Sequence, residues 1–162
     1  MAETNRAVIK LREKFSASVL DVKEFRGEVT VTVKREDIVE ICKFLKSSLA
    51  YNLCTDVTAV DYLGKQDPRF MVVYNLYSIP NKDRLRVKAG VPEADCSIDT
   101  VSCVWKTANW LEREVYDLMG VTFNNHPDLR RILMTDDWVG HPLRKDYPVQ
   151  GPGREPYKGR LS

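Results

Sequence analysis

The sequence predicts an α+β fold: one mostly antiparallel sheet of about five strands with flanking helices and an extended C-terminal tail. Three observations predict it. Runs rich in valine and threonine recur at the strand period, and separate segments repeat apolar residues at helical spacing. The links GKQDP and PNKD between the later runs are turn sequences, too short for parallel crossovers. A chain of 162 residues with 43% hydrophobic content can bury a core and suits one domain, expected over residues 1–148. Residues 149–162 have a disorder-like composition and are expected to form a flexible tail.

Residues 7–15, AVIKLREKF, place Val8, Leu11 and Phe15 on one helical face with a basic outer side. This reads as a helix capping the sheet in preference to a docking arm. SVLDVKEF and EVTVTV flank Arg26 and Gly27, a tight link, which predicts a hairpin with Val29, Val31 and Val33 facing one way. Over residues 36–49, Ile38, Ile41, Cys42, Leu45 and Leu49 form a single buried stripe on an amphipathic helix.

LCTDVTAVDYL, FMVVYNLYSI and RLRVKAGV then read as an antiparallel meander. The middle run is apolar on both faces, as a central strand covered on two sides would be. The last alternates, with Leu85, Val87, Ala89 and Val91 inward and Arg84, Arg86 and Lys88 outward. Modules that read single-stranded nucleic acid place stacking aromatics on such a basic face, and none is expected here. Pro92 stops the meander, and Asp99 or Thr100 can cap a helix entering TVSCVW. From residue 108 to 119, Leu111, Val115 and Leu118 continue an apolar stripe, with Gly120 just past the helix end. Glu112, Arg113, Glu114 and Asp117 are expected on the outer face, Arg113 and Asp117 as an i,i+4 pair. Beyond Gly120 extended, irregular backbone is expected.

The 25 basic residues nearly balance the 23 acidic ones, so a formal charge of +2 provides no global field for a polyanion, and no nucleic-acid partner is expected. The N-terminal MAETNRAVIKLREKF has no apolar core of a leader, and no window approaches the roughly 18 to 20 apolar residues that span a bilayer. A cytoplasmic protein is expected. The four cysteines, at positions 42, 54, 96 and 103, form no CxxC and fit reduced thiols better than a disulfide framework.

Residues 105–148 hold all three tryptophans, both histidines and a dense mix of charge. A metal site is the first chemistry to test, because His126, Asp128, Asp136, Asp137 and His141 cluster in sequence. Each histidine precedes a proline on irregular backbone, without the spacing that holds zinc or iron rigidly. A stand-alone metal-dependent hydrolase using His126, Asp137 and His141 remains the reading from a different class. Asp136 and Asp137, adjacent in an extended chain, point apart and make a poor acid–base pair. No phosphate-cradling glycine loop and no iron–sulfur cysteine spacing occurs. No catalytic, cofactor-binding or metal residue is therefore assigned. Arginine and tryptophan anchors are what remain, giving Arg130, Arg131, Asp136, Asp137, Trp138, His141, Arg144, Lys145 and Tyr147 as subunit-interface candidates. By chemistry alone they bridge to another subunit or to their own domain.

Glu112-Arg113-Glu114, Asp117-Leu118-Met119-Gly120, the run from His126 to Leu133 and the run from Asp136 to Pro148 together resemble the signature of the C-subunit family of respiratory complex I, the NADH-quinone oxidoreductase. The likeness extends more weakly upstream through Trp105 and Trp110, with Met119 and Lys106 as mild departures. It implies a non-catalytic, cofactor-free subunit of the peripheral arm, beside the subunits that carry the terminal iron–sulfur cluster and the quinone site. The complex as a whole would use FMN, iron–sulfur clusters, NADH and a quinone, and would translocate protons. Membrane contact would come only through the complex, on the cytoplasmic side. An equivalent scaffold subunit of a membrane-bound hydrogenase or another respiratory dehydrogenase is the alternative. On the interface reading, Arg131→Ala and Trp138→Ala are expected to weaken assembly and leave the isolated fold mostly intact.

Overall fold

A computed structural model describes residues 5–149 and 151. The chain begins with α1 (Arg6–Lys14), whose first N–H groups are capped by the Asn5 side chain at 2.8 Å from Ala7 N. A hairpin follows, β1 (Val19–Phe25) and β2 (Glu28–Val33). Its link has both residues at positive φ, Arg26 at 52° and Gly27 at 80°, the backbone that lets a two-residue turn follow the strand twist. A short 3-10 turn then leads into α2 (Ile38–Leu49), which buries the predicted stripe of Ile38, Ile41, Cys42, Leu45 and Leu49.

The meander is β3 (Leu53–Asp61), β4 (Phe70–Ser78) and β5 (Asp83–Val91), antiparallel throughout. The order in the sheet is β1-β2-β5-β4-β3, and β2 pairs with β5 in parallel, Val31 opposite Val87. The sheet is thus mixed. The short meander loops say nothing about how the hairpin joins the meander. That join runs from β2 to β5 through α2, β3 and β4, a connection long enough for parallel pairing. Inward residues alternate as expected: Phe70, Val72, Tyr74 and Leu76 lie opposite Val91, Ala89, Val87 and Leu85. They form one core with Val8 and Leu11 of α1 and the α2 stripe.

On the opposite sheet face, Arg86 bonds Asn75 Oδ1 at 3.0 Å and pairs with Glu28 at 2.9 Å. Two aromatics do sit there: Phe25, opposite Glu28 in register and with the Arg26 guanidinium 5.1 Å from its ring centroid, and Tyr77, opposite Arg84 and with that guanidinium at 5.9 Å. These two rings, on strands separated by β2 and β5 and each paired with a neighbouring arginine, are still not a stacking platform.

Residues 101–105 form turns, not the helix that Thr100 was expected to cap. The Val101 N–H is taken by Glu112 Oε1 at 2.7 Å, and Thr100 Oγ1 accepts instead from Ser102 N at 3.1 Å. The helix α3 starts at Ala108 and ends at Met119. It packs over β3, with Trp105 Nε1 donating to the Tyr51 carbonyl at 3.1 Å and Thr107 Oγ1 to that of Cys54 at 3.2 Å. Two three-residue strands flank the helix in sequence, β6 (Ser97–Asp99) and β7 (Thr122–Asn124), and pair in parallel with Ile98 opposite Phe123. The segment after Gly120 therefore opens with a strand before it becomes irregular.

Candidate subunit interface

Three of the four charged residues of α3 face inward, contrary to the sequence expectation, while Glu114 is exposed as expected. Glu112 and Asp117 have no solvent exposure, Arg113 is buried, and the indole of Trp110 is exposed. The buried line is Ala108, Glu112, Val115 and Met119, itself at i, i+4, i+7 and i+11, a spacing readable in the sequence had Glu112 been allowed inside. Arg113 does not meet Asp117. Its guanidinium donates to the carbonyls of Arg130 and Arg131, each at 3.1 Å, and lies 4.9 Å from the Trp110 ring centroid.

Residues 126–149 run as a strap over α3 and supply the partners of Arg113 and Asp117, while those of Glu112 are Thr100 and Val101. Asp117 Oδ2 accepts from the N–H groups of Ile132, Leu133 and Met134 at 3.0, 2.8 and 2.8 Å, and Oδ1 pairs with Arg131 Nη1 at 2.7 Å. Burial alone would raise the Asp117 carboxyl, but the strap amides and Arg131 outweigh it and hold it below the usual carboxylate range. Arg131 Nη2 reaches on to the Gly140 carbonyl at 3.0 Å.

The last carbonyls of a helix lack intrahelical partners, and here the strap caps them. His141 Nδ1 donates to the Asp117 carbonyl at 2.9 Å, Leu143 N to Leu118 at 3.0 Å and Arg144 Nε to Met119 at 2.7 Å. A cation at this end also complements the helix dipole. Burial lowers the His141 pKa, with Arg144 and Arg131 adding to it, so the ring works as a neutral donor. Gly120, at φ 72°, is required twice: the backbone is left-handed, and a Cβ would lie 2.5 Å from the His141 ring and 2.6 Å from Arg144 Nη2.

A second clasp holds the strap to the end of the sheet. Buried Arg69 binds Asp61 through two contacts of 2.9 and 2.8 Å, and also binds Asp146 at 2.8 Å and Glu93. The Lys145 N–H adds a bond to Asp61 Oδ2 at 2.9 Å. Arg69 holds the carboxyls of Asp61 and Asp146 below their ordinary values. Sequence reasoning missed this cluster, whose members lie on segments far apart in the chain.

At the other end of α3, Glu112 bonds the Thr100 hydroxyl and Val101 N, and burial pushes its carboxyl up to about 7. His126 Nδ1 accepts from Asp128 N at 3.1 Å, which leaves Nε2 to donate to the Asn109 carbonyl at 3.1 Å. His126 thus sits by the first turn of α3 and His141 by its last, a separation of roughly 12 Å at 1.5 Å per residue. With Asp137 exposed on the strap, the three hydrolase candidates do not assemble. Among the described residues no group of three or more His, Cys, Asp or Glu is placed to hold a metal ion. Of the cysteines, Cys42 and Cys54 are buried in the core with burial pushing both thiols up, Cys54 to about 12, while Cys103 is exposed.

Of the nine interface candidates, Arg131, His141 and Arg144 are turned toward α3. Tyr147 closes the strap on itself, donating to the Val139 carbonyl at 3.0 Å, and Trp138 is half-buried. Arg130, Asp136, Asp137 and Lys145 are exposed. The strap also presents Leu133, Val139 and Leu143 outward, 60%, 67% and 59% exposed. The strap thus turns polar anchors inward and leaves three apolar side chains exposed beside four charged ones.

Residues 31–153 match the family described as respiratory-chain NADH dehydrogenase, 30 Kd subunit. The chain belongs to this family. It is 96% identical over its full 162 residues to the C subunit of the NADH-quinone oxidoreductase of Geobacter metallireducens, and 43% identical over 152 residues, 92% of the chain and 87% of the relative, to that of Roseiflexus sp.. A solved structure described as Nqo5, trypsin-resistant fragment 1–134, is similar at 35% identity and a TM-score of 0.66, covering 76% of this chain and 99% of that one. A chain of an archaeal membrane-bound sulfane sulfur reductase shares the fold, with a TM-score of 0.76 over 88% of this chain and 84% of that one at 24% identity. The matched residues run from within β2 past the end of the strap.

Proposed function

We propose that this chain is a peripheral-arm subunit of a proton-translocating NADH-quinone oxidoreductase that holds neighbouring subunits together and carries no redox group itself. It sits beside the subunits bearing the terminal iron–sulfur cluster and the quinone site, on the cytoplasmic side of the membrane, and meets the membrane only through the complex. FMN, the iron–sulfur clusters, NADH and quinone belong to the other subunits.

Full-length likeness to the C subunits of NADH-quinone oxidoreductases supports the complex. The single observation that carries the scaffolding role is the strap, fixed to α3 by the Asp117–Arg131 ion pair and by hydrogen bonds to Asp117 and the last helix carbonyls, while Leu133, Val139 and Leu143 face outward. A surface ordered before contact loses less entropy on binding. No helix of the described residues is long and apolar enough to cross a membrane. Membranes solubilised gently and captured through a tag on this chain should yield the other subunits together with NADH-to-quinone activity. Recovery of this chain alone would remove the proposal.

A further inference from the structure

We infer that a groove on the outer side of α3, centred on Trp110, is a docking site for an extended acidic segment of a neighbouring subunit. The groove has a volume of about 560 Å³ and lies between α3 and the loops on either side of it, with Lys106, Trp110, Arg113, Pro127, Asp128 and Arg130 in its wall. It is separate from the apolar face of the strap on which the assembly role above rests.

Trp110 is 60% exposed, a large apolar area to leave in water. The ring is not loose, because Arg113 lies 4.9 Å from its centroid and is itself fixed by two strap carbonyls. Trp110 and Pro127 thus give the groove a rigid apolar floor. Its charge is one-sided: Lys106, Arg113 and Arg130 stand against the single carboxylate of Asp128 among the groove residues. Asp128 is bonded to Arg130 at 3.1 Å and is 3.9 Å from Arg113, so it is shared between two cations. Lys106 has no ion pair among the described residues, and Glu114, though exposed one turn further along α3, does not line the groove.

The whole chain has a formal charge of only +2, so this local excess is a concentration of charge and not the general field of the protein. Carboxylates of the partner would meet Lys106 and Arg130, and an apolar or proline side chain would cover the indole. A single ring excludes a run of stacked bases, which needs successive aromatics, and favours a peptide.

The test is made in the assembled complex. Asn109, in the groove wall, is replaced by the photo-cross-linker p-benzoylphenylalanine in the tagged full-length chain, membranes are irradiated, and the cross-linked peptide is sequenced by mass spectrometry. The expected product is one peptide of another subunit in which acidic residues outnumber basic ones. Adding Lys106→Glu and Arg130→Glu should cut its yield roughly tenfold, with unchanged thermal melting of the isolated chain. A cross-link to residues 152–162 of the same chain, to a second copy or to a peptide with a basic excess overturns the inference. So does the absence of any cross-link, or a yield that charge reversal leaves unaltered. Because these readouts come from complexes captured through the tag, any of them overturns the groove alone and leaves the assembly role standing.

Discussion

Asp117 accepts three strap N–H groups on Oδ2 and one arginine on Oδ1 while having no exposure, so the neutral isostere, even with its oxygen kept toward the strap, loses the arginine bond, weakens the other three and turns an N–H₂ toward the guanidinium. Asp117→Asn should lower stability by about 2–4 kcal/mol in urea unfolding. Arg131→Ala should destabilise comparably, in place of the intact fold expected from the sequence, because it strands a buried carboxylate. The Asp117 pKa is depressed in the fold, so its contribution is present above the ordinary carboxylate range and is lost as pH falls through the lowered value. Glu112 has the opposite sign. Its folded pKa, raised to about 7 from an ordinary 4.5, means that stability present below about 4.5 declines as pH rises to about 7. The stability of Glu112→Gln minus that of the unsubstituted chain should therefore rise by about 2–3 kcal/mol between pH 5 and pH 8. A difference independent of pH would show that Glu112 ionises without penalty.

At the scale of elements, the strap is held at the first half of α3 by His126 and Arg113, at the carboxyl end of that helix, and at the Arg69 clasp. Arg69→Lys keeps the charge but loses the fork that grips Asp61 and Asp146 together. The Lys145 amide, bonded to Asp61, should then exchange its hydrogen roughly 10- to 100-fold faster, while the amides of β4 stay protected. Uniformly faster exchange would mean that the clasp stabilises the sheet as a whole. The elements with many residues were legible in the sequence: the valine alternation of β2, the five-residue stripe of α2, the two-faced apolarity of β4. The strands β6 and β7, three residues each, are too short to show a period. The orientation of α3 was misread because Glu112, Arg113 and Asp117 look like a solvated face. The strap, which has no regular pattern of its own, makes the burial of Arg113 and Asp117 tolerable, and Thr100 and Val101 that of Glu112; these are tertiary contacts that no local spacing records.

For the whole molecule, the arrangement separates what the strap uses for itself from what it offers. Arg131, His141 and Arg144 are spent internally, leaving Leu133, Val139 and Leu143 with the exposed charges Arg130, Asp136, Asp137 and Lys145 as the outward surface. The proposed flexible tail at 149–162 lies almost entirely outside the described residues. The most direct test of the scaffolding claim is the fraction of this chain that migrates with the complex on a native gel when Val139→Asp and Leu143→Asp are combined. The account predicts that this fraction falls at least tenfold, about 1.4 kcal/mol or more, while the isolated domain melts within a few degrees of the unsubstituted chain. Full incorporation of the double variant would contradict it.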